Sequence, residues 1–391
     1  RTGGKVRIAA QLINVANGFY VWSETYERDF QSVFSLEDEV SGKVAEALEV
    51  RFAAGERPAI TQSAARNSEA YDFYLRGRFF WNKRTEEGVR KGIGYFDQAI
   101  EKDPNFALGH CGLADSYSML CLYSGIDPEA GFTTAKAHAL KAIELNEKLS
   151  DAHTSLAFVL HSWDFDWARA GMEYHRAIEL APNSAIAHHW FALYLAEMSR
   201  FPEAITESRR AQKLDPLSLV VNSELALILH FGRQYDEAIS QSKKLLDLQP
   251  NLAAALAVLG QACAEKGQYD EAAAAVKQLQ AATKSEVPDL QLAYIDAKRG
   301  DVAAAEKTLQ TAMALRESKE VSPYEIGMVF ATLKKSDEAF KYLGKALDEH
   351  SVLAPILRVD PRLDTLRGDP RFGPLLARIG LSDAQLQTVA P

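Results

Sequence analysis

Four alanines, Ala170, Ala204, Ala238 and Ala272, stand 34 residues apart, and Pro182, Pro216 and Pro250 keep the same interval through the same stretch. Leu180, Leu214 and Leu248 repeat at 34 as well, and so do Phe201, Tyr235 and Tyr269, each three residues before an alanine of the set. An interval of this length built from helical segments describes a pair of helices repeated along the chain. One such hairpin cannot bury its apolar face alone, so neighbours must stack, and added length adds units without enlarging a single core. Function in such an array lies on a surface.

Composition narrows the partners. The formal net charge of −9 over 391 residues argues against wholesale binding to nucleic acid or to an anionic membrane, which both need a basic footprint. No apolar run approaches the roughly 18 to 20 residues of a spanning helix, the longest candidate being 252–259. Cys111, Cys121 and Cys263 are too few and too scattered for a disulfide framework or paired zinc ligands, and they read as small core residues. The chain opens at Arg1 with no signal-peptide pattern and enters a strand pattern almost at once, so it reads as a piece of a longer protein. The cytoplasm is the favoured compartment, with an extracytoplasmic site open if a membrane span lies upstream.

Residues 5–13 place Val6, Ile8, Ala10 and Leu12 on one face, the period-two pattern of a half-buried strand. Asn17-Gly18 supplies turn residues, and 19–26 is aromatic and β-branched, so the two runs predict an antiparallel hairpin. Ser35 with Asp38 approximates a capping box, and Leu36, Val40, Val44, Ala47 and Leu48 form a helical stripe. The expected organisation is therefore a partial α/β segment over 1–52, a linker over 53–67, and an array of eight helical hairpins over 68–348. A capping segment over 349–391 follows. The second unit carries about nine extra residues, placed in a loop over 122–132 on the strength of Gly125, Pro128 and Gly131. Asp360-Pro361 and Asp369-Pro370 each set an N-cap aspartate before a first-turn proline, and each predicts a short helix.

The run Gly-Gln-Tyr-Asp-Glu-Ala at 267–272, with Gly260 upstream, resembles the tetratricopeptide (TPR) consensus, over about 280 residues. That resemblance implies a mainly α solenoid, a right-handed superhelix of hairpins. Residues 6–13, Gly18, 22–26 and 34–39 look like the C-terminal part of a TolB-like α/β domain, which precedes TPR arrays in bacterial multidomain regulators. The ending from Arg358 to Phe372 is similar to the usual tail of that family. Such proteins carry a winged-helix, cyclase or kinase domain upstream, so the resemblance implies a sensory or scaffolding half.

No residue pattern points to catalysis, and no cofactor is expected. Eight of the nine histidines fall between His110 and His230, but the adjacent His188 and His189 point to different faces and cannot share an ion in the i, i+4 manner. Structural or partner-lining histidines are the favoured reading, with a pH switch next and a metal site last. Gly92 and Gly94 follow no strand, which removes a dinucleotide loop. Trp163, Phe165 and Trp167 fall at the turn of the third unit and read as a buried wedge ahead of a partner anchor. One face of successive first helices carries Phe158, His161, His189, Leu193, Leu227, His230 and Gln261. In TPR proteins this face lines the inner curve, so it is expected to be an exposed, mostly apolar groove for an internal segment of a protein or peptide partner. The alternative is a regulatory portion of a larger signalling enzyme or winged-helix regulator that senses a small ligand. The free edge of the first hairpin leaves self-association open.

Overall fold

The computed structural model describes residues 5–13, 20–29, 68–123, 125–283, 289–315 and 321–389. The chain divides into two compact units, 1–112 and 113–391.

In the first unit, strands β1 (Lys5–Ile13) and β2 (Tyr20–Asp29) pair antiparallel, with Ile8 opposite Tyr26 and Leu12 opposite Trp22. The turn at Asn17-Gly18, the helix expected from Leu36 and the linker 53–67 lie outside the described residues. Helices α1 (Ser68–Trp81) and α2 (Glu86–Lys102) form the first hairpin. Thr85 caps α2, its Oγ1 accepting the Gly88 amide at 3.1 Å. Phe96 is fully buried and fills the space that Gly77 and Gly112 leave by having no Cβ.

Helix α3 (Ala107–Leu122) carries the chain into the second unit, and α4 (Pro128–Leu145) completes its hairpin. The helix break is shorter than expected, covering 123–127. Gly131 lies inside α4, where a Cβ would stand 2.6 Å from Ile126, so it is a close-packing position and not a loop residue. The extra residues lengthen the two helices to 16 and 18 residues, against 13 and 14 in the next hairpin.

The regular hairpins follow: α5 (Ser150–Ser162) with α6 (Trp167–Leu180), α7 (Ala185–Glu197) with α8 (Phe201–Leu214), α9 (Leu219–Phe231) with α10 (Tyr235–Leu248), and α11 (Ala253–Glu265) with α12 (Tyr269–Thr283). Ala170, Ala204, Ala238 and Ala272 are all fully buried on the second helices, where a larger side chain would push the paired backbones apart. Pro182, Pro216 and Pro250 sit between hairpins, where a missing amide donor costs no helix hydrogen bond. Ser184 and Ser218 then cap α7 and α9. Within each hairpin one turn residue takes positive φ: Phe165 (55°), Ser199 (65°), Arg233 (60°) and Gly267 (77°). Two more hairpins, α13 (Leu290–Arg299) with α14 (Val302–Leu315) and α15 (Pro323–Thr332) with α16 (Ser336–Asp348), follow among the described residues.

Beyond α16 come two 3-10 turns, Ala354–Arg358 and Pro361–Leu366, then α17 (Phe372–Ala377) and α18 (Asp383–Leu386). Asp360 caps its turn as expected, its carboxylate accepting the Arg362 amide. Asp369-Pro370 does not open a helix. The Asp369 carboxylate is held by the Arg371 amide and guanidinium, and the helix begins at Phe372.

Candidate functional site

The expected groove face belongs to the first helices α5, α7, α9 and α11, which pack on one another in sequence order along the second unit. The structure corrects its exposure. Phe158, His161, His189 and His230 are buried, and Leu193, Leu227 and Gln261 are half-buried. The open part of the face is therefore a ladder of one side chain per hairpin at the 34-residue interval.

His161 is wholly enclosed by rings: Phe158 at 5.3 Å, Tyr174 at 5.8 Å, and Trp167 and Tyr194 each at 5.9 Å. Its Nδ1 donates to the Ala157 carbonyl at 3.0 Å, which leaves Nε2 to accept from the Ser162 hydroxyl at 3.1 Å. Burial lowers its pKa to about 4. Glu197 Oε2 lies 3.4 Å from Nε2, and burial, reinforced by the charge of Glu224, holds that carboxyl well above the usual range. This is a neutral buried pair in an aromatic box. Phe158 also meets Trp190 edge-on at 4.5 Å, and His189 packs on the same indole at 4.6 Å.

His230 is also wholly buried, and neither ring nitrogen has a hydrogen-bond partner among the described residues. Its pKa is lowered to about 3, first by burial. Asp360 opposes that shift, Arg362 and Arg233 add to it, and Asp364 opposes it. A folded value below the unfolded ~6.5 means that protonation favours the unfolded chain, so this contribution is present above pH 6.5 and is lost as pH falls towards 3. Relative to a His230→Leu chain, the wild type is expected to lose about 3 kcal/mol of unfolding free energy between pH 6.5 and 4, at ~1.4 kcal/mol per pH unit. Denaturant titrations of both chains across that range check it, and parallel curves would remove His230 as the source.

Two other histidines are structural pins: His153, which the sequence reading did not single out, and His188, which it named only as half of an adjacent pair unable to share an ion. His153 bridges Glu173 Oε2 (Nδ1, 2.6 Å) and the Glu147 carbonyl (Nε2, 2.8 Å), and His188 bridges Glu207 Oε2 (2.5 Å) and the Pro182 carbonyl (3.0 Å). In the next hairpin Asn222 does the same work uncharged, donating to the Pro216 carbonyl while accepting from Gln241. The hydrogen bond to glutamate raises both histidine pKa values, so their stabilisation is complete below pH ~6.5 and fades as pH rises through the folded values. The signal was a His in each first helix with a Glu 19 or 20 residues on.

The aromatic turn of the third hairpin does bind a segment, and the segment belongs to this chain. Trp167 Nε1 donates to the Ile379 carbonyl at 2.6 Å. The ring of His350 lies 4.4 Å from that of Trp163 and stacks at 5.3 Å on that of Phe165. Arg358 Nε donates to Ser199 Oγ at 3.2 Å, and Arg233 donates to the Val359 carbonyl at 2.8 Å and to Asp364 at 2.6 Å. Sequence reasoning missed this return, which no periodicity announces.

Among the described residues no three His, Cys, Asp or Glu side chains converge as a metal cluster, and no helix is long and apolar enough to cross a membrane. Cys111, Cys121 and Cys263 are buried free thiols, and burial pushes Cys121 up to about 12.

No family model matches this sequence. Putative adenylate cyclase 3 of Rhizobium meliloti (strain 1021) is 30% identical over 172 residues, covering 42% of this chain and 28% of that protein. The transcriptional regulator HilA of Salmonella typhimurium is 25% identical over 134 residues, covering 34% and 24%. The chain spans about a quarter of the length of these curated relatives. Among solved structures, a tetratricopeptide repeat protein from Parabacteroides merdae covers 68% of this chain at 14% identity with a TM-score of 0.44. The helical solenoid of tetratricopeptide type stands on this chain's own 34-residue register and paired helices.

Proposed function

We propose that the chain is a non-catalytic interaction scaffold or sensory module whose first helices bind an internal, partly apolar segment of a protein or peptide partner. The observation that carries the reading is the ladder Leu193, Leu227 and Gln261, half-buried at the same place in three consecutive hairpins. Packed helices lie about 8–10 Å apart, and a segment in the polyproline-II conformation rises ~3.1 Å per residue and repeats its face every three, so every third residue of a segment bound that way meets one rung. Two leucines then favour apolar side chains at that spacing, and the face lacks the lysine and asparagine set by which some TPR domains clamp a terminal carboxylate.

Leu193→Asp with Leu227→Asp is expected to weaken capture of arrayed internal peptides at least tenfold while circular dichroism stays helical. Survival of capture, or competition by a peptide with an acidic free C-terminus, contradicts the reading. A second reading is favoured by the names of the curated relatives, a putative adenylate cyclase and a transcriptional regulator. On that reading the array is the regulatory portion of a larger protein and senses a small ligand, and β1–β2 is the end of a TolB-like domain. A nucleotide or metabolite that raises the melting temperature without displacing a bound peptide would favour it.

A further inference from the structure

We propose that the outer face of the first helical hairpin is a docking surface for an amphipathic, acid-flanked helix of a partner protein, which takes the place that a preceding hairpin holds elsewhere in the array. The repeat register carries the argument. A small residue marks the middle of each first helix where it meets the second: Gly77 against Phe96 in the first hairpin, Gly260 against Val276 in α11 and α12, and the buried Ala192 and Ala226 at the same place between them. Two residues further on stand Phe79, Tyr194, Ile228 and Ala262. Tyr194 is covered by the hairpin before its own, its hydroxyl donating to the Trp167 carbonyl at 2.8 Å and its ring lying 5.5 Å from that of Tyr174. Ile228 and Ala262 are also buried, whereas Phe79 is 62% exposed. Two residues before the small one, Trp190 meets Phe158 of the preceding hairpin, and its counterpart Leu75 is 41% exposed. A terminal hairpin left to water carries polar residues on this face. Helix α1 keeps those of an internal one.

The apolar surface continues along the seam of α1 and α2. Phe73 stacks on Tyr95 at 6.5 Å, Tyr95 on Phe80 at 5.5 Å, and Phe80 meets Phe79 edge-on at 5.2 Å. Later hairpins put polar pairs at the seam positions of Phe73 and Tyr95, namely His188 with Glu207 and Asn222 with Gln241. Two cations lie over the row, Lys83 Nζ 5.2 Å from the Phe79 ring and Lys91 Nζ 4.3 Å from the Phe80 ring. Neither has an ion pair among the described residues, while Arg76 and Arg90 are held by Asp72 and Glu86 of their own helices. Apolar rings beside unpaired ammonium groups fit a helix with a leucine ridge and carboxylates along its flanks. A second copy of this chain would set lysine against lysine, and a nucleic acid would meet two unpaired cations on a chain of net charge −9. The amphipathic run from Leu36 to Leu48 offers one stripe, which the one-sided pattern of residues 5–13 already calls for.

The inference uses no residue of the groove ladder and does not rest on the groove reading. The probe is a fluorescent synthetic helix of about 18 residues with a leucine ridge and glutamates on both flanks, and its twin carries lysines in place of the glutamates. The full chain is expected to bind the glutamate helix at least tenfold more tightly than the twin. Leu75→Ser with Phe79→Ser, both at exposed positions, is expected to lose at least tenfold of that affinity with circular dichroism unchanged, and Lys83→Glu with Lys91→Glu to reverse the preference between the two helices. Equal binding of the twins overturns the proposal, and so does binding that survives the serine pair and is lost in Leu193→Asp with Leu227→Asp. Three other results overturn it by naming a different occupant: self-association in sedimentation that the serine pair abolishes, a Leu36→Ser with Val40→Ser chain that binds the glutamate helix at least tenfold more tightly, or displacement of that helix by single-stranded oligothymidine.

Discussion

Replacing Phe96 by alanine is expected to remove about 3–5 kcal/mol from the stability of the first helical hairpin, the upper range for a large-to-small core change. The ring is fully buried and touched on both sides by positions without a Cβ. A Cβ built on Gly77 falls inside van der Waals contact with the ring, and one built on Gly112 lies 2.5 Å from it. Two glycines and one phenylalanine thus solve one packing problem across α1, α2 and α3. Enlarging either glycine forces the ring out of its site, so Gly77→Ala or Gly112→Ala is expected to cost about 1–3 kcal/mol although each adds one methyl. Gly112→Ala combined with Phe96→Leu should cost less than the sum of the two, since the smaller side chain yields the space. Stacked repeats open locally, so the measurement is amide exchange in α1 and α2 with α9 and α10 as reference. A Gly112→Ala chain whose α2 amides exchange as slowly as wild type would show that the ring has room to move.

What the sequence announced was what a local job demands. Ala204, Ala238 and Ala272 are small because two backbones meet there, and Pro216 and Pro250 end hairpins because they cannot continue them. Those constraints recur in every unit, and recurrence made them visible. The insertion in the second unit was visible as a slip of register, but its place was not, because longer helices and a longer loop give the same count. Gly131 looked like a turn residue and proved to be a close-packing residue, which only the neighbouring Ile126 could reveal. The groove was harder still. His161, Leu193, Leu227 and His230 do lie on first helices, yet their exposure depends on contacts from elsewhere in the chain, and no period carries that.

Arg362→Ala is expected to destabilise the last hairpin by about 3–5 kcal/mol at pH 7, because it strands a carboxylate that the fold has taken entirely out of water. Asp360 accepts from the Arg362 amide at 3.0 Å, from Nε at 2.9 Å and from Nη2 at 2.7 Å, and from the Tyr324 hydroxyl at 3.0 Å. Burial alone would raise its pKa, but the charge and hydrogen bonds of Arg362 outweigh it and hold the carboxyl below its ordinary value. In the wild type its stabilisation is therefore present above pH ~3.9 and is lost as pH falls through the lowered folded value. Without the guanidinium the sign reverses. Burial then raises the folded pKa, the penalty is largest at neutral pH, and acidification relieves it by protonating Asp360. The gap between wild type and Arg362→Ala should accordingly narrow as pH falls from 7 to 4, while the gap for a pure packing loss such as Leu363→Ala should not track the titration of this carboxyl. Replacing the whole network with Asp360→Leu, Arg362→Met and Tyr324→Phe should recover most of the loss, since no charge or hydroxyl is then left unpaired. Urea unfolding of the three variants at pH 7 and pH 4 decides the matter: an Arg362→Ala gap that does not change with pH would mean that the guanidinium contributes packing alone.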